Sequence, residues 1–360
     1  MTLRFDLDAP VRDPTIVFDI GGTWFRSAVA EPGGEITDIR RQPAISHVSH
    51  PTASAEWLHN AFVRYVVDEV TLRMHERGNI ASRVSIALGA ALDQRTGVVW
   101  NAGPLWGDHD EAFDLCTALN GVMPCMDWTV VNDVTATLLS IVRERQESLS
   151  GTLVYVTISS GIAARTWSSD LNGIPLDGMA GLQGEIGHLP VTCSFRGSIL
   201  QGRCDCGGNN HLNAFASGRG LEFLLRATSS SYPDVASMLD DAKNGSSLRR
   251  FTEALERECP IAGEILETAV DPLAKILLTA LTMDPHISRI LFGGGVVDGV
   301  GRSLWRKFLL EKLKAYGPYQ IGDRSPAFLD HLLEVVDTRD AGLSGAACAA
   351  WGRIQDGRLQ

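Results

Sequence analysis

The amino-acid sequence predicts an α/β protein built from two duplicated α/β domains with a cleft between them. Three observations lead there. Thr15-Ile16-Val17-Phe18-Asp19 is a short apolar run ending in Gly21-Gly22, the pattern of a buried strand that enters a tight turn. Leu153 to Ile158 repeats it, followed by the small residues Ser159-Ser160-Gly161 and a second strand pattern from Ala164 to Trp167. Helical patterns of 3.6-residue period alternate with the strands in both halves, an internal echo that fits a duplicated α/β unit.

Taken in order, residues 1–14 read as a lead-in with little regular structure. Phe25 to Ala30 and Ile36 to Arg41 flank Glu31-Pro32-Gly33-Gly34-Glu35, a hairpin signal. Leu58, Phe62, Tyr65, Val66, Val70 and Met74 recur at helical spacing over 56–77, and Gly78 stops that helix. Val84 to Leu88, Val98 to Trp100 and Trp128 to Val131 read as strands, and Thr135 to Arg145 as a helix. Residues 261–282 carry a long helical pattern with Pro272 inside it, which implies either a kink or two helices. Ile287 to Phe292 is another buried strand, running into Gly293-Gly294-Gly295, and 303–316 and 343–353 read as helices.

Composition narrows the function classes. At 360 residues, 44% hydrophobic and 21% charged, the chain has material for two globular domains. It has no apolar run of about 18 residues, so no membrane partner is expected. Met1-Thr2-Leu3-Arg4-Phe5-Asp6 lacks the basic-then-apolar layout of a signal peptide, which points to a cytoplasmic protein. A net charge of −11 argues against a nucleic-acid partner. The seven cysteines are odd in number and scattered, which favours reduced thiols and a local metal site over a disulfide framework.

That metal site has a definite address. His188, Cys204, Cys206 and His211 form a soft S₂N₂ set suited to tetrahedral, structural Zn²⁺, with Glu185 three residues before His188; the alternative for the Cys204-x-Cys206 pair is two buried thiols. Asp19-Ile20-Gly21-Gly22-Thr23 reads as a phosphate-binding turn: glycines admit phosphate oxygens to backbone N–H groups, Thr23 donates a hydroxyl, and Asp19 can support a Mg²⁺ shell. The alternative is an ordinary hairpin turn. Gly293-Gly294-Gly295 is either a nucleotide-approach site or a tight strand-to-helix connection. Asn132-Asp133 ends a strand and precedes a helix; Asp133 is either a general base oriented by Asn132 or a helix N-cap. Neither a Gly-x-x-x-x-Gly-Lys-Ser/Thr nor a Gly-x-Gly-x-x-Gly after a strand occurs.

From Asp19 to Gly345 these motifs, in this order, resemble the ROK family (repressors, open reading frames, kinases) of the actin/hexokinase-like superfamily. The resemblance implies two actin-like, ribonuclease H-like domains: residues 1–134, residues 135–342 with the zinc loop, and a helix over 343–360 that packs back on the first domain. It implies an ATP- and Mg²⁺-dependent sugar kinase with Asp133 as general base, a polyol substrate and a homodimeric assembly. Asn132, Gly89 and Ala90 then line the acceptor, and Glu185 and His188 bind its hydroxyls. Asp19, Gly21, Gly22, Thr23, Ser159, Ser160, Gly161 and Gly293 to Gly295 serve the nucleotide.

Three departures from the family pattern stand out. His211 replaces a cysteine. Ser159-Ser160-Gly161-Ile162-Ala163 replaces Gly-Thr-Gly-x-Gly. Asn213 stands where the family has a glutamate that contacts the sugar near its anomeric hydroxyl, and an amide there is both donor and acceptor. Asn213 makes a C7 cyclitol of the acarbose or validamycin type the expected acceptor. The alternatives are an ordinary hexose or N-acetylhexosamine kinase and a non-catalytic sugar-binding protein.

Overall fold

The computed structural model describes residues 2–4, 13–78, 81–107, 111–145, 150–176, 183–239, 246–317, 327–351 and 353–355. The chain divides into two compact units: Met1–Ser150, Arg165–Gln183 and Thr338–Gln360 form unit 1, and Gly151–Ala164 with Gly184–Asp337 form unit 2.

Unit 1 begins with strand β1 (Thr2–Arg4), then β2 (Thr15–Ile20), β3 (Trp24–Ala30) and β4 (Ile36–Pro43). Helix α1 (Ala55–Arg77), strands β5 (Arg83–Leu88), β6 (Ala91–Asp93) and β7 (Val98–Asn101), helix α2 (Gly103–Trp106), strand β8 (Phe113–Asp114) and helix α3 (Leu115–Val122) follow. Strand β9 (Asp127–Asn132) runs directly into helix α4 (Asp133–Glu144). The main sheet has the order β4-β3-β2-β5-β9, with β2, β5 and β9 parallel. Its register sets Ile20 opposite Leu88 and Leu88 opposite Asn132. The carboxyl ends of the three parallel strands are therefore level, and the turns after Ile20, Leu88 and Asn132 emerge side by side, where chemistry collects in such sheets.

Helix α1 follows its sequence signals closely. The Ser54 side chain accepts from the Trp57 N–H at the N-cap, and Gly78 closes the helix at φ 76°. Leu58, Phe62, Val66 and Val70 are buried along one face, against Phe25, Trp106 and their neighbours. The same helix buries Arg73 completely. Its guanidinium is held by Glu69 at 2.9 Å, Asp38 at 2.8 Å and the Ser27 hydroxyl at 2.9 Å, so the buried charge has carboxylate partners.

The chain then supplies β10 (Thr152–Ile158), β11 (Ile162–Ser168) and β12 (Gly173–Pro175). Thr2–Arg4 pairs antiparallel with β12. The lead-in thus holds a strand, although residues 1–14 read as little structured; its pairing partners lie far along the sequence, beyond the reach of a local pattern.

Unit 2 continues with hairpin β13 (Cys193–Phe195) and β14 (Ser198–Leu200), helices α5 (Asn213–Ala216), α6 (Gly218–Ser229), α7 (Pro233–Met238), α8 (Ser246–Glu256) and α9 (Pro260–Met283), strand β15 (Ile287–Gly293), helices α10 (Gly295–Val300), α11 (Arg302–Tyr316) and α12 (Phe328–Leu332), and strand β16 (Leu333–Val335). Strands β10, β15 and β16 are parallel, with Thr157 opposite Gly293 and Phe292 opposite Val335. The register levels the Ser159–Gly161 turn with Gly293–Gly295.

Helix α9 is one helix of 24 residues despite Pro272. A proline has no N–H for the carbonyl four residues back, here that of Thr268. The buried Cys193 thiol donates to that carbonyl at 3.7 Å instead. Burial pushes the thiol up to about 12, so it stays protonated and able to donate.

The last elements, α13 (Ala341–Trp351) and β17 (Arg353–Gln355), return to unit 1, where β17 pairs with β1. The division at 134/135 and 342/343 read from the sequence is not the one observed. Helix α4 packs against α13, β5 and β9 within unit 1, and 165–183 and 338–342 also belong there. The sheet-covering role of α4 decides this, and a linear boundary cannot express it. The α4–α13 contact is very close: a Cβ on Gly345 would sit 1.7 Å from the Ala136 carbonyl oxygen. Gly345→Ala must force the two helices apart. It is expected to destabilise unit 1 by about 3 kcal/mol or more, read as a drop in the denaturant midpoint at unchanged slope.

Candidate active site and metal centre

In unit 1, helix α4 places the two residues of the Asn132-Asp133 pair in different roles. Asn132 is the N-cap: its Oδ1 accepts from the Val134 and Thr135 N–H groups at 3.0 and 3.2 Å. Its Nδ2 donates to the Ala90 carbonyl at 2.9 Å, and its own N–H donates to Gln94 Oε1 at 3.1 Å. The cap that Asp133 could have supplied is already taken. One Asp133 oxygen accepts from Val134 N–H at 2.8 Å, while Oδ2 would lie 3.2 Å from a Cβ on Gly89. A side chain at 89 would press on the carboxylate. Gly89 N–H also donates to the Ile20 carbonyl at 3.0 Å, which locks the second parallel strand to the first.

Asp19 ends β2 in the same unit. Its carboxylate lies 3.3 Å from the Arg26 guanidinium, which also bonds Asp340 and, at 2.6 Å, the Arg339 carbonyl. A Cβ on Gly342, in the first turn of α13, would meet Asp19 at 2.7 Å, so α13 can approach the acid only as glycine. Gly21 N–H donates to the Trp24 carbonyl, the Gly22 carbonyl accepts from Ser46 Oγ at 2.6 Å, and Thr23 is exposed.

Both acids are half-buried. Burial, against the pull of Arg26, pushes the Asp19 carboxyl up to about 6, and Asp133 adds to the push. Burial also raises Asp133, opposed by the Val134 N–H and the charge of Arg165. For Asp19 the folded value lies above the ordinary 3.8, so its ionisation costs stability as pH rises from the ordinary carboxylate range through about 6. Asp19→Asn is expected to stabilise the protein by on the order of 2 kcal/mol at about pH 8 and not at all near pH 3. Thermal unfolding in EDTA at the two pH values checks this.

In unit 2, Ser159 and Gly161 form a tight turn, with Ser159 N–H bonded to the Gly161 carbonyl at 2.9 Å. The Ser159 carbonyl accepts from Gly218 N–H at 2.9 Å, at the start of α6. Gly294, at φ 108°, lies so close to Ile158 that a Cβ would meet its carbonyl oxygen at 2.5 Å. A Cβ on Gly295 would come within 3.6 Å of Ser159 Oγ. The structure thus brings Ser159–Gly161 together with Gly293–Gly295, and adds Ser217-Gly218, which the sequence reading missed. Its only sequence signal was a serine before a glycine-rich helix start. Ser160 continues the same turn.

The metal set also assembles. The donor atoms of His188, Cys204, Cys206 and His211 all lie within 4.8 Å of one another. Cys204 Sγ is 3.8 Å from His188 Nδ1, and Cys206 Sγ is 3.2 Å from His211 Nδ1. Tetrahedral zinc with bonds of about 2.0–2.3 Å needs donor separations of about 3.3–3.8 Å, so the set fits with a small inward adjustment. Backbone bonds shape the loop: Cys204 N–H to Gly208 O and Gly207 N–H to Cys204 O, both 2.9 Å. A Cβ on Gly208 would strike the His211 ring at 2.3 Å. Burial, with His211 nearby, keeps His188 below its ordinary value and hence neutral, the form that ligates. All seven cysteines are free thiols, with no disulfide among them.

Asn213 opens α5 beside this centre. Its Oδ1 accepts from Ile162 N–H at 2.8 Å, and a Cβ on Gly187 would meet that oxygen at 2.3 Å. The carboxamide therefore packs on the Gly184–His188 segment, in which Glu185 precedes a short 3₁₀ turn at Ile186–His188.

A family model for ROK matches residues 15–350. The chain belongs to the ROK family. Within ROK, the chain is 34% identical over 346 residues to a 2-epi-5-epi-valiolone 7-kinase of Actinoplanes sp., covering 95% of this chain and 94% of that one. It is 26% identical to a C(7)-cyclitol 7-kinase of Streptomyces hygroscopicus subsp. limoneus, over 79% of this chain and 80% of the relative. A ROK glucokinase from Streptomyces griseus, solved with glucose and AMPPNP, superposes with TM-score 0.68 at 21% identity, covering 94% and 99% of the two chains. That likeness establishes two actin-like ROK domains as the fold. Among the described residues no helix is long and apolar enough to cross a membrane.

Proposed function

We propose that this ROK protein is an ATP-dependent kinase that phosphorylates a primary hydroxyl of a C7 cyclitol. The observation that carries the reading is the placement of Asp133: Asn132 takes over the helix cap and Gly89 leaves the carboxylate unobstructed, so the acid is available to accept a proton. The acceptor class rests on the kinship with the valiolone and C7-cyclitol kinases. Asn132, Gly89 and Ala90 surround the base. Glu185 and His188 are the candidates for the acceptor hydroxyls, with Asn213 setting the segment that bears them.

Gly21, Gly22, Thr23, Ser159, Ser160, Gly161 and Gly293 to Gly295 offer backbone N–H groups and hydroxyls to the nucleotide, and Asp19 supports the Mg²⁺ shell. Mg²⁺ held there with the nucleotide would supply positive charge to the phosphates. Asp133 takes the hydroxyl proton as the acceptor oxygen attacks, and positioning carries most of the remaining rate. His188, Cys204, Cys206 and His211 would hold a structural zinc, which would fix the orientation of His188. By family analogy the protein is a cytoplasmic homodimer.

A hexose kinase is the second reading, favoured by 24% identity to a glucokinase of Aeropyrum pernix over 95% of this chain. ADP release from Mg·ATP against hexoses, N-acetylhexosamines and C7 cyclitols decides between them. The expected result is turnover on a cyclitol at a kcat/KM at least tenfold above that on glucose. Equal or better turnover of glucose overturns the cyclitol reading.

A further inference from the structure

We propose that Asn213 is a positioning residue whose carboxamide ties the Ser159–Gly161 turn to the segment bearing Glu185 and His188, so that it serves the nucleotide as well as the acceptor. This inference rests on the kinase reading above. Every group in the tie belongs to unit 2. One stretch of chain grips the turn at both ends. At its start, the Ser159 carbonyl accepts from Gly218 N–H at 2.9 Å. Just past its end, Ile162 N–H donates to Asn213 Oδ1 at 2.8 Å. The two anchors are themselves joined, since Ser217 Oγ donates to the Asn213 carbonyl at 2.6 Å. Ile162 is 3% exposed, so removing the amide leaves a buried donor unpaired, which costs more than an ordinary hydrogen bond contributes.

The same oxygen lies against the acceptor segment. Gly187 falls between Glu185 and His188 in sequence, and a Cβ there would come 2.3 Å from Asn213 Oδ1 and 2.2 Å from the Ile162 carbonyl oxygen. A Cβ on Gly161 would sit at ordinary contact distance, 3.9 Å from Oδ1 and 4.0 Å from Nδ2. A glycine of each segment therefore flanks one small amide. Ala164 N–H adds a bond to the Gly184 carbonyl at 2.7 Å, which closes the tie from the strand side. With Oδ1 spent on Ile162, residue 213 acts on the acceptor through the backbone of 184–188 and not by touching it.

The test compares the full-length wild type with Asn213→Ala, Asn213→Asp and Gly187→Ala. Calorimetry with Mg·AMPPNP reads the nucleotide site, steady-state kinetics reads the acceptor, and the thermal midpoint shows that each variant is folded. Asn213→Ala is expected to raise both the Kd for Mg·AMPPNP and the acceptor KM by about tenfold or more, the loss of one buried hydrogen bond. It should leave the ratio of kcat/KM for a C7 cyclitol over glucose within about threefold. Asn213→Asp keeps an oxygen for Ile162 N–H and should return the nucleotide Kd to within about threefold of wild type. Gly187→Ala drives the same contacts apart and should reproduce both losses, which tests the tie without altering residue 213. A folded Asn213→Ala or Gly187→Ala protein that binds Mg·AMPPNP as the wild type does overturns the proposal. So does a change of more than about tenfold in the cyclitol-to-glucose ratio, which would mean that residue 213 touches the acceptor. A wild-type protein that binds no Mg·AMPPNP brings down the kinase reading, and this proposal with it.

Discussion

Asp133→Asn keeps the fold and loses turnover, by about 10²–10⁴-fold in kcat. The fold survives because an asparagine oxygen can still accept from Val134 N–H, and Asn132 continues to cap α4. What disappears is the capacity to take a proton from the attacking hydroxyl. Binding is made elsewhere, so KM for the acceptor should change far less than kcat. The wild-type profile carries a second signature. Burial holds Asp133 above the ordinary carboxylate value of 3.8, and the base works only when ionised. Activity should therefore fall on the acid side at a pH above the usual carboxylate range, and this limb should vanish from whatever residual rate the variant shows. Steady-state kinetics between about pH 4 and 8 on both proteins checks each part. A variant with near-normal kcat would remove Asp133 from the mechanism.

Removal of the proposed zinc is expected to have the other large effect. A chelator, or Cys204→Ser, is expected to release one zinc per chain and to weaken unit 2 by several kcal/mol, since the free energy of metal binding is also folding free energy. Burial pushes the Cys204 thiol up, so without a cation the site holds protons in place of the metal and the loop loses its tie. His188 joins that loop from the Ile186–His188 turn, three residues from Glu185. The acceptor KM should rise at least tenfold, while the α4 end of unit 1 keeps its structure. Zinc content by metal analysis, thermal midpoint and KM are three separate readouts. A protein purified without zinc that binds its acceptor normally would refute the assignment.

Much of this was legible in the sequence. The strand before Gly21-Gly22, the hairpin around Gly33-Gly34, helix α1 with its Gly78 stop, and the strand before Gly293 all follow from period and turn residues that act locally. That His188, Cys204, Cys206 and His211 cluster was legible because cysteine and histidine at that spacing are uncommon. Four things were not. The strand at Thr2–Arg4 depends on partners at 173–175 and 353–355. The division into units depends on which sheet α4 and α13 cover. The division of labour between Asn132 and Asp133 depends on a backbone turn that either residue could have capped, and the cap went to the amide. The helices between 213 and 256 were also passed over, since short amphipathic segments beside glycine-rich turns carry weak periodicity.

The interleaving of the two units has a consequence for how the protein is made. Unit 1 is assembled from three stretches of chain, and the last of them holds α13, which packs on α4 and β2 and lies against Asp19 through Gly342. On the ribosome, the nascent chain passes its first 150 residues long before that helix exists. During that interval α4 lacks the neighbour that α13 will provide, and the Asp19 turn lacks its backing. Unit 2, composed of 151–164 and 184–337, can be complete while unit 1 still waits. The order of completion therefore runs against the order of synthesis: the half that begins first closes last, and a chain that stops short of α13 would carry Asp19 and Asp133 without the helix that lies against Asp19.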